Sequence, residues 1–318
     1  MNQESLETLA RAGVVWVQPG IESLSDEVLG LMGKGVSALL NLRVMRNCRE
    51  LGMGVIWSIL YGFPGEPAAV YEDMARLVPV IEHLHPPVSC GRIRLDRFSP
   101  NFERAAEMGF EGTVPAPAYG AIYNVPQDEL HDLAYFFEGS SPSAASEDNL
   151  VSLRSAIAEW RSRWFSEAAT PQLTLVRVGA GGLVQDTRSI ATARLNYLQP
   201  AELALIDAMR DPCDHTSVFA KLSAEFAPQV LANALDRLVR QRFVIRYRGK
   251  NLSLIVDSDR SVFDVDDRAD TPTGYLAKSA TNRQTEGADL DRHVDRGKPL
   301  VHATYATPPV GEMLEDRP

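Results

Sequence analysis

The chain has 318 residues, of which 45% are hydrophobic and 23% charged, which suits a sizeable core divided between about two domains. Its net charge of −10 argues against a protein whose main partner is nucleic acid. No apolar run reaches the ~18 residues of a membrane span, and the amino terminus has no signal-peptide pattern. We therefore expect a cytoplasmic protein with no membrane partner.

Three apolar, strand-like runs at 14–23, 55–66 and 92–100 alternate with helical patterns in the first third of the chain. Each run ends in glycine, proline and charged residues. Near-continuous apolar strands with helical crossovers predict a parallel sheet that is covered on both faces. Ligands of such sheets bind at the carboxyl ends of the strands. We therefore expect the functional site where these polar residues gather.

The pattern loosens between 101 and 140, where glycines, prolines and aromatic residues predict ordered loops and short helices. A polar linker at 140–146 and a helix at 150–168 follow. The predicted first domain is thus 1–140, and the connecting segment is 141–169.

A second unit is predicted at 170–257. It begins with a hairpin that has a glycine-rich turn and ends with another hairpin at 243–256. Between them lie three short helical patterns at 200–209, 216–226 and 229–241. Three helices closed by a β-hairpin predict a small α+β, winged-helix-like domain. From 258 to 318 the chain is polar and aperiodic, so we expect a disordered acidic tail.

The motif QPGIES at 18–23 leaves a buried strand and presents the carboxylate of Glu22. Such a carboxylate can accept hydrogen bonds from a ribose or an ammonium group. An equally good reading is that Glu22 only caps the next helix. Lys34, between two glycines, can contact a carboxylate, although a lysine in that position is more often solvated.

The motif LYGFPGE at 60–66 lets the backbone approach a ligand such as an adenine or a phosphate. A tight strand-to-helix turn explains it at least as well. On the third run, alternation places Arg92, Arg94 and Asp96 on one side and Arg97 on the other. These charges either face a ligand or form a structural arginine–aspartate pair.

Cys48, Cys90 and Cys213 follow no paired spacing and are typical of reduced, structural thiols. His83 and His85 straddle a helix end and are predicted to be surface histidines. We find no cysteine, histidine or carboxylate spacing that predicts a metal site, and no catalytic residue can be named.

Basic residues decorate the last helix and the hairpin of the second unit, and suit a DNA backbone, an acidic peptide or a solvated face. We take three of them as candidate peptide-binding residues: Arg237, Arg240 and Arg246.

Several blocks resemble radical S-adenosyl-L-methionine (SAM) enzymes. QPGIESLS at 18–25, LxLMxKG at 29–35 and LYGFPGE at 60–66 resemble the fourth and fifth strands of a radical SAM barrel. Further blocks resemble the cobalamin-dependent radical SAM C-methyltransferases that mature ribosomally made peptides. These are Trp57, HLxPP at 83–87, RLxRFSP at 94–100, Ala118-Tyr119 and Ile122-Tyr123. The resemblance covers about 8 to 140.

The resemblance implies a partial radical SAM (β/α) barrel of α/β class, in which Glu22 and Ser23 meet the ribose or amino group of SAM. It also implies that the second unit binds a precursor peptide that adds a strand to a sheet edge. The cofactor-binding residues that it implies are Gln18, Gly20, Glu22, Ser23, Ile59, Gly62, Arg94, Arg97 and Phe98.

The family's cluster motif, C-x-x-x-C-x-x-C, and its cobalamin domain are both absent from the sequence. A 4Fe–4S cluster requires cysteine thiolates. We therefore expect the C-terminal part of a longer enzyme, whether by truncation, mis-called start or split gene, with the cluster and cobalamin on a separate chain. Whether this chain is itself an enzyme stays open. The alternatives are a non-catalytic module that binds precursor peptide and, less favoured by the net charge, a winged-helix DNA regulator.

Overall fold

A computed structural model describes residues 1–166 and 169–261, which form a mixed α/β fold with several small sheets. The predicted acidic tail, 258–318, lies outside the described residues from 262 onwards. Its first residues, Ser258–Arg260, form one 3-10 turn. Within the described residues, every helix falls short of the length and apolarity that a bilayer crossing needs.

Strands and helices alternate in the first part of the chain. The elements are α1 (Gln3–Arg11), β1 (Trp16–Val17), α2 (Asp26–Leu31), α3 (Ala38–Glu50), β2 (Gly54–Val55), β3 (Ser58–Tyr61), α4 (Ala69–Ile81) and β4 (Ser89–Arg92). The hydroxyls of Ser25 and Ser37 accept hydrogen bonds from amides in the first turns of α2 and α3. Each serine satisfies an amide that has no partner within the helix, which is the usual role of a helix-capping residue.

The central strands run in parallel. β1 pairs with β2, and β3 pairs with β4. The amide of Leu60 donates to the carbonyl of Glu22 over 2.9 Å, and that of Val88 donates to the carbonyl of Trp57 over 2.7 Å. The predicted parallel arrangement is confirmed. The prediction of one continuous strand at 55–66 is wrong, because Trp57 separates β2 from β3 and its carbonyl accepts from Val88, just before β4. The described residues contain no closed barrel.

Gly54 in β2 is covered by the indole ring of Trp16, its pairing partner in β1. A Cβ at Gly54 would lie 2.1 Å from Cε3 of Trp16, whereas a Cβ at Gly91 in β4 would meet nothing within 4 Å. We expect Gly54→Ala to lower the free energy of unfolding by about 1–3 kcal/mol, because the indole must move out of its packed position. Gly91→Ala is the matched control in chemical denaturation. Equal midpoints for the two variants would contradict the parallel packing.

The third predicted run, 92–100, is not one strand. β4 ends at Arg92, and the chain turns into β5 (Leu95–Asp96) of a separate antiparallel sheet. The turn occurs because Leu95 and Phe137, both fully buried, pair across that sheet. Its remaining elements are α5 (Pro100–Glu103), β6 (Glu111–Pro115), α6 (Pro117–Ile122), α7 (Gln127–Leu133) and β7 (Phe136–Ser140), in the strand order β5-β7-β6.

The predicted connecting helix is α8 (Val151–Trp164), which follows a 3-10 turn at Glu147–Leu150. It packs on α4 and buries two tryptophans. The indole nitrogen of Trp160 donates to the carbonyls of Glu82 and Leu84 over 3.1 and 3.0 Å. These bonds satisfy the free carbonyls at the end of α4.

The last part contains β8 (Leu173–Val178), β9 (Gly181–Asp186), β10 (Leu195–Leu198), α9 (Pro200–Ala208), α10 (His215–Leu222), α11 (Pro228–Arg240), β11 (Val244–Tyr247), β12 (Lys250–Ser253) and β13 (Val256–Asp257). The β8–β9 hairpin, the three helices and the β11–β12 hairpin agree with the predicted elements. The final run differs, because it leaves the hairpin after Ser253 and pairs in parallel with β8, in a sheet of order β10-β9-β8-β13.

Buried charged side chains connect the first and last parts of the chain. The guanidinium of Arg46 donates to the carbonyls of Ser253 and Arg210 over 2.7 and 2.8 Å. Glu50 forms an ion pair with Arg210 and accepts a hydrogen bond from the amide of Asp257 over 3.0 Å. α3 is therefore bonded to Ser253, the last residue of β12, and to Asp257, the last residue of β13.

Arg188 forms the second buried connection. Its guanidinium pairs with Asp186 at 2.8 Å and donates to the carbonyl of Val80, at the end of α4, over 2.7 Å. It also donates to the carbonyls of Gln241 and Arg242. A single cation thus holds α4, the β9 end and the end of α11 together.

His83 and His85 are buried, so their prediction as surface histidines is wrong. His85 packs against the rings of Trp16 and Trp164 at centroid distances of 5.5 and 4.6 Å. The ring of His83 bonds to the carbonyl of Leu254 over 2.9 Å. Burial lowers the pKa of His85 to about 3 and that of His83 well below its ordinary value. Both rings are neutral at physiological pH.

Candidate functional site

A cavity of about 490 Å³ lies at the carboxyl ends of β3 and β4 and beside the loop that follows β1. We call it the strand-end cavity. Its charged lining consists of Glu22, Lys34, Arg92, Arg94 and Asp96, and its apolar lining includes Leu60, Phe63 and Ile93. The cavity therefore occupies the position where ligands of parallel sheets bind.

One wall of the strand-end cavity is an ion pair. Nζ of Lys34 lies 2.6 Å from Oε2 of Glu22, and both side chains are about one-third exposed. The backbone of Glu22 is left-handed, with φ of 55°, as are those of Gly33 and Gly35, with φ of 64° and 65°. The two glycines take this conformation without strain and bring Lys34 back towards the first strand. Lys34 therefore contacts a carboxylate, whereas its sequence pattern is more often that of a solvated lysine.

The opposite wall carries two arginines with different environments. Nε of Arg94 lies 2.6 Å from Oδ1 of Asp96, and its guanidinium stacks 3.7 Å from the ring centroid of Phe136. The hydrogen bond to Asp96 raises the pKa of Arg94. Arg92 lines the same cavity, and among the described residues its side chain has no hydrogen-bond or ion-pair partner. Arg92 is thus the cation of this cavity without a close partner, and its charge also helps to lower the pKa of Glu147.

In the loop of the LYGFPGE motif, the backbone amides are hydrogen-bonded by the loop's own Glu66 side chain. Both oxygens of buried Glu66 accept backbone hydrogen bonds, from Gly62 over 2.8 Å and from Phe63 over 3.1 Å. Glu66 also accepts from the hydroxyl of Tyr71 at 2.6 Å and from the amide of Ala145 at 2.8 Å. Burial and the contact with Glu66 raise the pKa of Tyr71. The loop amides are occupied by this carboxylate, which agrees with the reading as a tight turn.

Of the nine predicted cofactor residues, Glu22 and Arg94 line the strand-end cavity. The hydroxyl of Ser23 is buried and donates to the sulfur of Met74 over 3.8 Å. Ile59 is also buried in the core. Gln18, Gly20 and Gly62 belong to the loops around the cavity, but they do not line it.

Arg97 and Phe98 lie outside the strand-end cavity. Nε of Arg97 donates to the carbonyl of Ala134 over 2.7 Å, and the guanidinium stacks on the ring of Phe137 at 5.0 Å. Phe98 is 75% exposed. The cavity is lined by three other residues that were not predicted to bind the cofactor, namely Lys34, Arg92 and the apolar Leu60.

A second cavity, of about 560 Å³, lies between α4, the end of α11 and β11. We call it the arginine groove, because four arginines line it: Arg76, Arg240, Arg242 and Arg246. Nε of Arg246 donates to the side chain of Asn251 over 3.1 Å. Among the described residues, the side chains of Arg240 and Arg242 form no hydrogen bond or ion pair with a neighbour. The predicted Arg240 and Arg246 are thus brought together.

Arg237 is placed elsewhere. Its Nε lies 3.2 Å from the carboxylate of buried Glu202, and it donates to the carbonyl of Tyr197 over 2.9 Å. These contacts fix α11 on α9, which is a structural role. The arginine groove is lined by Arg76 and Arg242, which were not predicted to bind peptide. Arg76 lies on α4, and the helical pattern of α4 does not indicate that Arg76 lies beside α11.

The second edge of β11 lies beside the arginine groove. Within the described residues β11 pairs only with β12, and the other side of β12 is bonded to Cys213 through its Asn251. The amide of Leu254 donates to the carbonyl of Phe243. By the alternation of an antiparallel pair, the backbone groups of Val244 therefore face away from β12. Val244 is only 1% exposed, so these groups are covered, whereas Arg246, the next outward-facing residue, is exposed.

The cysteines do not suit an iron–sulfur cluster. Cys48 is fully buried in α3, and burial raises its pKa to about 12. Cys90 lies in β4, and Cys213 bonds beside β12. A cluster needs several thiolates on one site, and the described residues hold no group of three histidine, cysteine or carboxylate side chains that could bind a metal.

Residues 1–78 match the family model of the radical SAM superfamily. No curated protein and no solved structure matches the chain. Residues 1–78 thus carry a radical SAM superfamily domain, a family that in general uses SAM and a 4Fe–4S cluster. The match includes Glu22, Lys34 and Leu60 of the strand-end cavity and ends within α4, before the arginines of the opposite wall.

Proposed function

We propose, from the radical SAM domain at residues 1–78, that this chain is the C-terminal part of a radical SAM enzyme that methylates carbon centres of a ribosomally synthesised precursor peptide. A separate chain would carry the 4Fe–4S cluster and cobalamin. The observation that carries the proposal is the charged strand-end cavity on the parallel strands of that domain. The chain's part is to bind and orient ligands, and no catalytic residue is assigned to it.

The lining of the strand-end cavity fits SAM in its chemistry. Arg92 would hold the carboxylate of the ligand, and Glu22 would accept hydrogen bonds from its ammonium or ribose groups. Leu60 and its apolar neighbours offer a surface for the adenine ring. When it is bound with a cluster, SAM supplies radical chemistry to enzymes of this superfamily.

Two features support a second chain. β1 pairs on one side only, with β2, within the described residues. Val15, just before it, is 39% exposed, and Gln18, just after it, is also exposed. Open edges of sheets are usually paired or covered. A partner that supplies further parallel strands would cover this edge and bring cysteines to the same end of the sheet.

The arginine groove supports the peptide part of the proposal. We propose that 170–257 is a winged-helix-like recognition unit, in which a precursor peptide adds a strand to a sheet edge. The cations of the groove, with Arg240 and Arg246 among them, suit acidic side chains of that peptide.

Reconstitution tests the proposal. The full chain is combined with the polypeptide encoded directly upstream of Met1 and with a neighbouring precursor peptide. We expect 5′-deoxyadenosine and a methylated peptide, both detected by mass spectrometry, only when both chains are present. An upstream region that encodes neither the cysteine motif nor a cobalamin domain, together with no SAM cleavage, would refute it.

Arg92 is expected to determine the affinity for SAM in that reconstituted complex. Arg92→Gln should raise KM for SAM about tenfold, because it removes one charged hydrogen-bond donor from the cavity. Arg104→Gln is the matched control, since Arg104 is exposed at the end of α5 and does not line the cavity. Equal KM values in the two variants would exclude Arg92 from the SAM site.

The second candidate function is a non-catalytic module that binds precursor peptide. The observation in its favour is that the groove is complete in this chain, whereas the cysteines do not suit a cluster. Tight binding of the precursor without cluster-dependent turnover by any partner would support this candidate. A DNA regulator would instead bind duplexes with a steep salt dependence.

A further inference from the structure

The arginine groove carries an excess of positive charge. Asp73 is the carboxylate among its lining residues, and it pairs at 3.0 Å with Arg76 on the same helix. The other guanidinium groups of the lining form no ion pair within the described residues; they belong to Arg240, Arg242 and Arg246. A cavity of about 560 Å³ is roughly 10 Å across, which is about the distance over which salt screens charges. These three cations therefore repel one another until an anionic group binds between them.

The rest of the lining is largely apolar. It includes six aliphatic side chains, namely Leu77, Val80, Ile190, Val239, Val244 and Ile245. Val244 is buried, whereas the other five are half-buried and present part of their surface to the groove. A ligand that fits the groove therefore has carboxylates and apolar side chains within one short stretch.

The chain itself contains such a stretch directly after Ser261, the last residue that the structure describes. Residues 262–270, which lie outside the described residues, read VFDVDDRAD. We call them the acidic segment. Its net charge is −3, from four aspartates and one arginine, and it has three large apolar side chains: Val262, Phe263 and Val265. The acidic segment is thus opposite in charge to the groove and offers it apolar surface as well.

The acidic segment is long enough to reach the groove. The amide of Leu254 donates to the carbonyl of Phe243 over 2.9 Å, and Phe243 directly precedes Val244 of the lining. From Leu254, β13 and the 3-10 turn Ser258–Arg260 lead to Ser261, a path that spans at most about 20 Å. The residues of the acidic segment span up to about 30 Å when extended. Its last aspartates therefore come within reach of the arginines.

We propose that the acidic segment binds in the arginine groove of its own chain and competes there with other acidic peptides. The proposal rests on the proposed peptide-binding function and adds its regulation, since the precursor peptide binds only by displacing the segment. The aspartates pair with Arg240, Arg242 and Arg246. A tethered segment has an effective concentration on the order of millimolar, so it holds the groove against a free peptide at micromolar concentration.

Fluorescence anisotropy on the full chain tests the proposal, with a labelled synthetic copy of residues 262–270 as the probe. One variant removes the charge of the tethered copy by four substitutions, namely Asp264→Asn, Asp266→Asn, Asp267→Asn and Asp270→Asn. We call it the segment variant. We expect it to bind the probe at least about tenfold more tightly than the wild type, because the probe no longer competes with a charged segment on the same chain.

Two matched controls assign the effect. Four substitutions later in the chain change the net charge equally and should leave the wild-type affinity for the probe, namely Glu286→Gln, Asp289→Asn, Asp291→Asn and Asp295→Asn. Added to the segment variant, Arg240→Glu should lower the affinity for the probe at least about tenfold, because it replaces a cation of the groove by an anion. Arg104→Glu, exposed and outside the groove, should not lower it.

The second copy of the chain is the alternative occupant. Size-exclusion chromatography should show the wild type and the segment variant with the same elution volume at the protein concentrations of the titration. A wild-type dimer that the four segment substitutions dissociate would place the acidic segment in the groove of another copy, and would overturn binding within one chain.

The remaining outcomes separate the proposal from the function on which it rests. Equal affinity of the wild type and the segment variant for the probe, with loss on adding Arg240→Glu, would overturn occupancy by the segment and leave a groove that binds acidic peptides. An equal gain in the control with the later carboxylates would overturn it too, because net charge alone would explain the result. No binding of the probe to any variant would also overturn it. A gain confined to the segment variant, with a precursor peptide that does not displace the probe, would refute precursor binding at the groove and support the proposal.

Discussion

Replacing Arg188 with methionine should lower the free energy of unfolding by about 3–5 kcal/mol. The guanidinium is fully buried, pairs with Asp186 and donates to three carbonyls, one each in α4, at Gln241 and at Arg242. Methionine fills similar space but leaves the Asp186 carboxylate buried without its cation. The loss is large because the charge that remains has no route to water.

Chemical denaturation measures this effect, with Arg76→Met as the matched control. Arg76 is 68% exposed and, among the described residues, pairs with Glu72 and Asp73 on its own helix, so its loss should cost about 0–1 kcal/mol. The double variant Asp186→Leu with Arg188→Met should recover part of the stability, because both buried charges are then absent. A single Arg188→Met variant as stable as the control would contradict this account.

The protein should lose stability steeply between pH 6.5 and pH 4. The folded pKa of His85 is about 3, and that of His83 is also lowered, whereas both are near 6.5 in the unfolded chain. In this range the unfolded state binds more protons, so stability falls as the pH falls. His85 alone should cost about 2 kcal/mol at pH 5 and about 3 kcal/mol at pH 4.

The unfolding free energy measured against pH checks this expectation. His85→Phe should flatten the profile by up to one proton, because an apolar ring needs no proton in either state. Trp164→Phe changes the same aromatic cluster without removing a titratable group, so it should shift the profile vertically and keep its slope. Parallel profiles for the wild type and His85→Phe would show that another group causes the acid sensitivity.

Local signals predicted the helices better than the strands. Ser25 and Ser37 mark helix starts through bonds within one turn, so the neighbouring residues suffice to locate them. The pairing of Leu95 with Phe137 joins positions more than forty residues apart, and no periodicity near Leu95 indicates it. His85 shows the same limit, because its burial depends on Trp164, a much later residue.

The candidate site was predictable in part for the same reason. Glu22 lies in the loop after β1 and Arg94 in the turn after β4, and the rule that ligands bind at strand ends locates both. Lys34 reaches Glu22 through the left-handed backbone of two flanking glycines, a signal that the sequence contains but that also suits a solvated lysine. The arginine groove requires Arg76 and Arg240 from helices that are distant in the chain.

The buried contacts of Arg46 and Arg188 have a consequence for engineering. They join α3 and α4 to the part of the chain that carries the arginine groove. In a chimaera in which a foreign segment replaces 170–257, the guanidinium of Arg46 and the carbonyl of Val80 would lose their hydrogen-bond partners. Changing the ligand preference of the arginine groove therefore calls for substitutions within the groove itself, because grafting a whole segment would break these buried contacts.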